Sequence, residues 1–155
     1  MNRIHSIQLL HYLTACLAVI TLVSCAQTFH RSKISPKIRD IVARISDRNG
    51  YFGPLVDEGG HTNQYQDFKL LGAQAADSEL VELTNHPNAA VRCHAFWALS
   101  NRQFNGLLPI IVKHINDTES VEILNGCEPF DQYVGDFMIS KYRPQDNDSF
   151  SNQLD

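Results

Sequence analysis

The stretch that decides the fold runs from residue 80 to residue 99 and reads LVELTNHPNAAVRCHAFWAL. A short amphipathic run ends at an Asn-His-Pro-Asn turn, and a more apolar run follows. In that second run, apolar residues recur at the spacing of one helix face, namely Val91, Ala95, Ala98 and Leu99. Cys93, Phe96 and Trp97 widen this face, so neighbours must cover the helix on several sides. The stretch predicts a half-exposed outer helix followed by a buried inner helix that places Val91 and Trp97 in the core.

Residues typical of helix termini bound both helices. Asp77 is the expected N-cap of the outer helix, because its side chain accepts hydrogen bonds from free backbone N–H groups. Pro87 is expected in the first turn of the inner helix, where a missing N–H costs nothing, with Asn85 or His86 near the N-cap.

This unit, over roughly residues 77–101, resembles a HEAT repeat. The positions that match the family pattern are Leu80, Leu83, His86, Pro87, Asn88, Val91, Arg92, Ala95, Ala98 and Leu99. The resemblance implies an all-α fold, a short right-handed stack of antiparallel helix pairs (an α-solenoid). It also implies that Arg92 bonds to an acidic residue in a turn of the adjacent repeat. Such stacks present an extended surface, which usually binds protein.

A second unit follows at a period of about 30 residues, with Asn116-Asp117-Thr118 in the place of the first turn. Residues 107–115 predict its outer helix, with a face that carries Leu107, Leu108, Ile111 and Ile115. Val121 and Leu124 predict an inner helix that reaches Gly126. Because Glu122 occupies the position that corresponds to Arg92, we interpret this unit as an atypical capping repeat.

Three further helices are predicted from apolar spacing. One begins at Ser35-Pro36, ends at Asn49-Gly50 and buries Ile38, Ile41, Val42 and Ile45. A second carries Tyr65, Phe68 and Leu71 and ends near Gly72. The last follows Pro129, continues to about Tyr142 and carries Phe130, Tyr133, Val134, Phe137 and Met138. The expected stack therefore contains about three helix pairs.

The N-terminus has the pattern of a bacterial lipoprotein signal peptide. Arg3 precedes an apolar run over residues 13–23 that is too short to span a bilayer. Leu22-Val23-Ser24-Cys25 resembles a lipobox, in which the cysteine is diacylated and becomes the mature N-terminus. The alternative is an ordinary secretory peptide cut after Ala26, which predicts a secreted protein. We expect lipidation at Cys25 and attachment to a membrane of the bacterial envelope, facing the periplasm.

These patterns divide the chain into four parts. A signal peptide occupies residues 1–24 and a lipid anchor and tether residues 25–34. A HEAT-like helical domain occupies residues 35–142, and a disordered tail occupies residues 143–155.

Charge and cysteine content narrow the possible functions. Removal of the signal peptide removes Arg3 and leaves 12 basic residues against 17 acidic ones. That balance argues against nucleic-acid binding, which needs a basic face. Cys93 and Cys127 are either a disulfide pair, which an oxidising periplasm permits, or two small buried apolar residues.

The one long irregular segment, residues 50–63, contains Asp57, Glu58 and His61. Two carboxylates and an imidazole fit a metal or acid–base site, while the alternative is a solvated, glycine-rich loop. No nucleophile triad, phosphate-binding loop or zinc motif occurs in the chain. We therefore expect a non-enzymatic module, without cofactor or metal, that binds an unidentified envelope protein. The alternative is a small periplasmic hydrolase that uses residues 57–61.

Overall fold

A computed structural model describes residues 28–52, 63–124 and 128–143, and most of these are helical. After a short 3₁₀ helix (Arg31–Lys33), the α-helices are α1 (Pro36–Ser46), α2 (Asn63–Gln74), α3 (Asp77–Leu83), α4 (Ala89–Asn101), α5 (Leu107–His114) and α6 (Val134–Lys141). Three strands, β1 (Gly50–Phe52), β2 (Ser120–Leu124) and β3 (Pro129–Tyr133), form one sheet in the order β1-β2-β3.

Helix α4 is the centre of the core and contacts each of the other five helices described above. Eleven of its residues are buried, Val91 and Phe96 completely, which confirms the predicted inner helix. Its start differs from the prediction. The N-cap is Asn88, whose side chain accepts a hydrogen bond from the Val91 N–H at 3.1 Å, so Pro87 lies before the helix and not in its first turn.

The other predicted helices on the N-terminal side are present. Helix α1 follows Ser35, begins with Pro36 and buries the four predicted aliphatic residues against its neighbours. Helix α3 starts one residue earlier than expected, because Glu79, and not Asp77, accepts a hydrogen bond from the Ala76 N–H at the N-cap. Asp77 instead forms an ion pair with Arg102.

Residues 28–34, which we expected to be part of a tether, pack against the helices. Ile34 is completely buried, and Phe29 lies against the core. Glu82 on α3 accepts hydrogen bonds from the backbone N–H of His30 at 2.6 Å and from Lys33 Nζ at 2.9 Å. Burial raises the pKa of Glu82, but these hydrogen bonds outweigh it and lower the pKa overall. The described part of the predicted tether is therefore packed against the helices. The sequence did not indicate this, because two apolar side chains in a polar run have no periodicity.

The predicted inner helix at Val121 and Leu124 is wrong, since this segment is strand β2. It pairs in parallel with β1, Gly50 opposite Glu122, and antiparallel with β3, Ser120 opposite Tyr133. Val121 and Ile123 point inward while Glu122 is exposed, which is the two-residue period of a half-buried strand.

The helix predicted from Pro129 begins only at Val134, because residues 129–133 form β3. In the second unit, helix α5 is therefore followed by a strand, and the later helix that packs against α5 is α6. The all-α prediction is correct only to the extent that the chain is mostly helical. The tail predicted after Tyr142 is described at Arg143 alone, and its other residues lie outside the described ranges.

Candidate functional site

The residues that sequence reasoning singled out for chemistry lie outside the described ranges. These are the lipidation candidate Cys25, the loop residues Asp57, Glu58 and His61, and Cys127. Among residues 28–52, 63–124 and 128–143, no group of three or more His, Cys, Asp or Glu side chains is arranged to hold a metal ion. Cys93 is completely buried, and burial raises the pKa of its thiol. Its predicted role as a small core residue is confirmed, while pairing with Cys127 stays a prediction.

A buried polar cluster lies beneath β1, directly before the segment that contains Asp57. Gln64 donates a hydrogen bond to the Gly50 carbonyl oxygen, and His94 Nε2 lies 3.4 Å from the same oxygen. Arg44 Nε donates to the partly buried Asp67 at 2.8 Å. Burial lowers the pKa of His94 to about 4, so the ring is neutral at pH 7. The Gln64 hydrogen bond to the Gly50 carbonyl oxygen holds the start of β1 in place.

A second polar network joins the first unit to the second through Arg92, which is 5% exposed. Its Nη1 donates to the carbonyl oxygens of His86 and Pro87 at 2.8 and 2.9 Å. Its Nη2 donates to Glu119 at 2.7 Å, and its Nε lies 2.9 Å from Asp117 Oδ2. The guanidinium thus binds the turn between α3 and α4 to the segment between α5 and β2. We refer to these five residues as the Arg92 clamp.

The Arg92 clamp also positions α6. The Gly135 N–H donates to the Asp117 carbonyl oxygen at 3.1 Å, and the Val134 N–H donates to that of Glu119, also at 3.1 Å. A Cβ on Gly135 would lie 2.7 Å from the carbonyl oxygen of Ile115, which is closer than real Cβ contacts. Only glycine therefore allows α6 to begin against the end of α5.

Helix α5 buries a different face from the one predicted. Its buried residues are Leu107, Ile110, Ile111 and His114. Leu108 and Ile115, predicted to share a face with Leu107 and Ile111, are exposed together with Val112, at 56%, 53% and 64%. These three recur at i, i+4 and i+7 and form one row along the helix. Because nearly every residue of α5 is apolar, the pattern alone does not indicate which side faces the core.

Exposed apolar side chains concentrate on this end of the molecule. Within the described residues, eight large hydrophobic side chains are exposed, and seven of them follow residue 107. The exposed apolar side chains outside the row on α5 lie on or next to β3 and α6. Helix α6 packs against both β3 and α5. The C-terminal apolar face consists of Leu108, Val112, Ile115, Phe130, Tyr133, Ile139 and Tyr142. Sequence analysis missed it, although the spacing of Leu108, Val112 and Ile115 is visible in the chain.

Comparisons with known proteins give no family for this chain. No protein-family model, curated protein or solved structure matches it significantly. None of the helices in the described part of the chain is long and apolar enough to cross a membrane.

Proposed function

We propose that the chain is a HEAT-like, lipid-anchored module of the bacterial envelope that binds another envelope protein and catalyses no reaction. The observation that carries the proposal is the C-terminal apolar face. The row of Leu108, Val112 and Ile115 leaves more than half of each side chain in water. Contiguous apolar surface of this kind marks sites of protein interaction, because water is expelled when a partner covers it.

The repeat architecture supports the same function. In stacked-helix proteins the outer face of a terminal unit is polar unless another unit or a partner covers it. Here α5, the helix of the second unit, carries apolar residues on both its buried and its exposed side. The Arg92 clamp supports the HEAT-like interpretation, because Asp117 and Glu119 are acidic residues between α5 and β2, where the resemblance expects the partner of this arginine.

The binding function is tested by substituting one residue in the row. Val112→Glu places a charge where a partner needs apolar contact, and we expect capture of the partner to fall by about tenfold or more, since a fully buried Val contributes about 1.5–3 kcal/mol. The measurement is in-cell crosslinking of tagged full-length protein, with captured proteins identified and quantified. Because Val112 is already exposed, the substitution leaves the core unchanged.

Leu70→Glu is the matched control. Leu70 is an exposed aliphatic residue on α2, outside the C-terminal apolar face. Retention of a recurrent envelope protein by this variant and its loss in Val112→Glu support the proposal. Equal capture by both variants, or no recurrent protein under several growth conditions, contradicts it.

Membrane attachment is tested separately at Cys25. In Cys25→Ala the thiol that accepts the lipid is absent, so we expect an uncleaved precursor and complete loss of radiolabelled fatty acid. Precursor size on gels and acyl labelling measure both effects. Normal maturation of this variant would instead support cleavage after Ala26 and secretion. Ser24→Ala is the control, since it keeps a small residue before the cysteine.

A further inference from the structure

A cavity of about 190 Å³ lies between the N-terminal segment, α1 and the turn that follows α3. One wall is apolar and includes Phe29, Ile34 and Leu83. Arg31, Arg39 and His86 supply polar groups to the rest of the lining, and no carboxylate is among the lining residues. The cavity therefore combines two guanidinium groups with an apolar surface.

The two arginines are not neutralised by carboxylates within the described residues. Arg39 Nε donates to the Ile34 carbonyl oxygen at 2.8 Å, which orients the guanidinium, and no ion pair is formed by Arg31 or Arg39 in this part of the chain. By contrast, Lys33 is paired with Glu82 and Arg44 with Asp67. The pKa of His86 is lowered, first by burial and then by the positive charges of Arg92 and Arg31. The cavity thus has a positive potential that is available to an anion.

The cavity belongs to the one basic part of an acidic protein. Between residues 28 and 52 the chain carries two acidic residues, Asp40 and Asp47, against six basic ones, namely Arg31, Lys33, Lys37, Arg39, Arg44 and Arg48. The remaining described residues carry ten acidic side chains against six basic ones. The basic part begins shortly after Cys25, the residue proposed to carry the lipid. If that attachment is correct, the basic side of the protein is the side held at the membrane.

We propose that this cavity binds the phosphate-bearing headgroup of an anionic phospholipid. Arg31 and Arg39 bind the phosphate oxygens, a contact for which the planar guanidinium is suited. Phe29, the partly buried aromatic residue of the lining, contacts the apolar part of the lipid next to the headgroup. The inference deepens the proposed function, on which its membrane setting rests. A lipid on Cys25 tethers the chain at one point, and a headgroup in the cavity adds a second point that orients the protein on the bilayer.

The test is native mass spectrometry of the full-length protein released from detergent micelles that contain phosphatidylglycerol. We expect one bound phosphatidylglycerol per chain, and at least tenfold weaker retention in Arg31→Gln and in Arg39→Gln. Arg31 has no ion pair within the described residues, so its substitution separates loss of binding from loss of folding. Lys37→Gln removes the same charge from an exposed residue of α1 that does not line the cavity, and we expect unchanged retention.

Three outcomes would overturn the proposal. Equal weakening by Lys37→Gln would indicate diffuse attraction to the basic segment and no site. Equal retention of phosphatidylcholine would exclude recognition of an anionic headgroup, and equally tight retention of inorganic phosphate would assign the cavity to free phosphate. Acyl labelling of the unsubstituted chain separates the two proposals. If that chain retains phosphatidylglycerol but carries no acyl label, the cavity stays assigned and the lipid anchor on Cys25 is excluded.

Discussion

Replacing Arg92 with alanine is expected to lower the free energy of unfolding by about 3–5 kcal/mol, the range for removing one partner of a buried ion pair. The side chain is 5% exposed and binds two carbonyl oxygens and two carboxylates. Its removal leaves Asp117, which is itself largely buried, without its cation. The Arg92 clamp also fixes Asp117 and Glu119, whose carbonyl oxygens accept hydrogen bonds from the N–H groups at the start of α6. The C-terminal apolar face is therefore expected to lose its order together with the stability.

Urea unfolding, followed by circular dichroism, measures this loss. Arg102→Ala is the matched control, since Arg102 also binds a carboxylate and two carbonyl oxygens, those of Asp77, Gly72 and Ala75. Because the Arg102–Asp77 pair is far more exposed, we expect the control to cost about 1 kcal/mol. Equal losses of unfolding free energy in the two variants would show that the buried ion pairs of Arg92 stabilise the protein no more than an exposed pair does.

Phe96→Ala is expected to destabilise the protein by about 3–5 kcal/mol, because the ring is completely buried at the centre of α4 and its removal leaves a cavity. The neighbouring Trp97→Ala is expected to cost less, about 1–3 kcal/mol, within the usual range for a single substitution. Trp97 is only partly buried: its ring stacks on Phe68, with centroids 3.9 Å apart and planes 8° apart. The expectation from sequence that Trp97 lies in the core is therefore corrected to a position at its edge.

Thermal and urea unfolding of the two variants give the comparison directly. Phe96→Leu serves as a control, since it keeps most of the apolar volume and is expected to cost less than Phe96→Ala. A larger loss for Trp97→Ala than for Phe96→Ala would mean that α4 is rotated relative to its neighbours. In that case the core assigned to α4 would be wrong.

The reliable sequence signals were those that depend on local geometry. Helix α1 has an N-cap serine, a proline at its first position and four aliphatic residues at helical spacing, and all of these agree with the structure. The predicted turn before α4 and the apolar helix itself are also present, but the predicted helix start differs from the observed one by a few residues. These features can be predicted because they depend on contacts between residues within one or two helical turns of each other.

The predictions from sequence failed where the structure of a segment depends on contacts with segments that are distant in the chain. Val121 and Leu124 fit one helix face by coincidence, while pairing with β1 and β3 makes the segment a strand. The cavity at Arg31 and Arg39 also depends on a distant contact, because α3 and the turn after it close its wall. The pattern of residues within one segment does not indicate such contacts with distant segments.

The amino-acid sequence alone was enough to predict that most of the described residues are helical, that α4 is buried, and where α1, α2 and α3 lie. Hydrophobic periodicity is sufficient for these conclusions because it reports which side of a helix avoids water. Tertiary structure alone decided which side of α5 is exposed and which carboxylates bind Arg92. In a helix with apolar residues on both sides, such as α5, the buried side is decided only by its neighbours. An ion pair between residues 25 or more positions apart exists only once the intervening chain has folded.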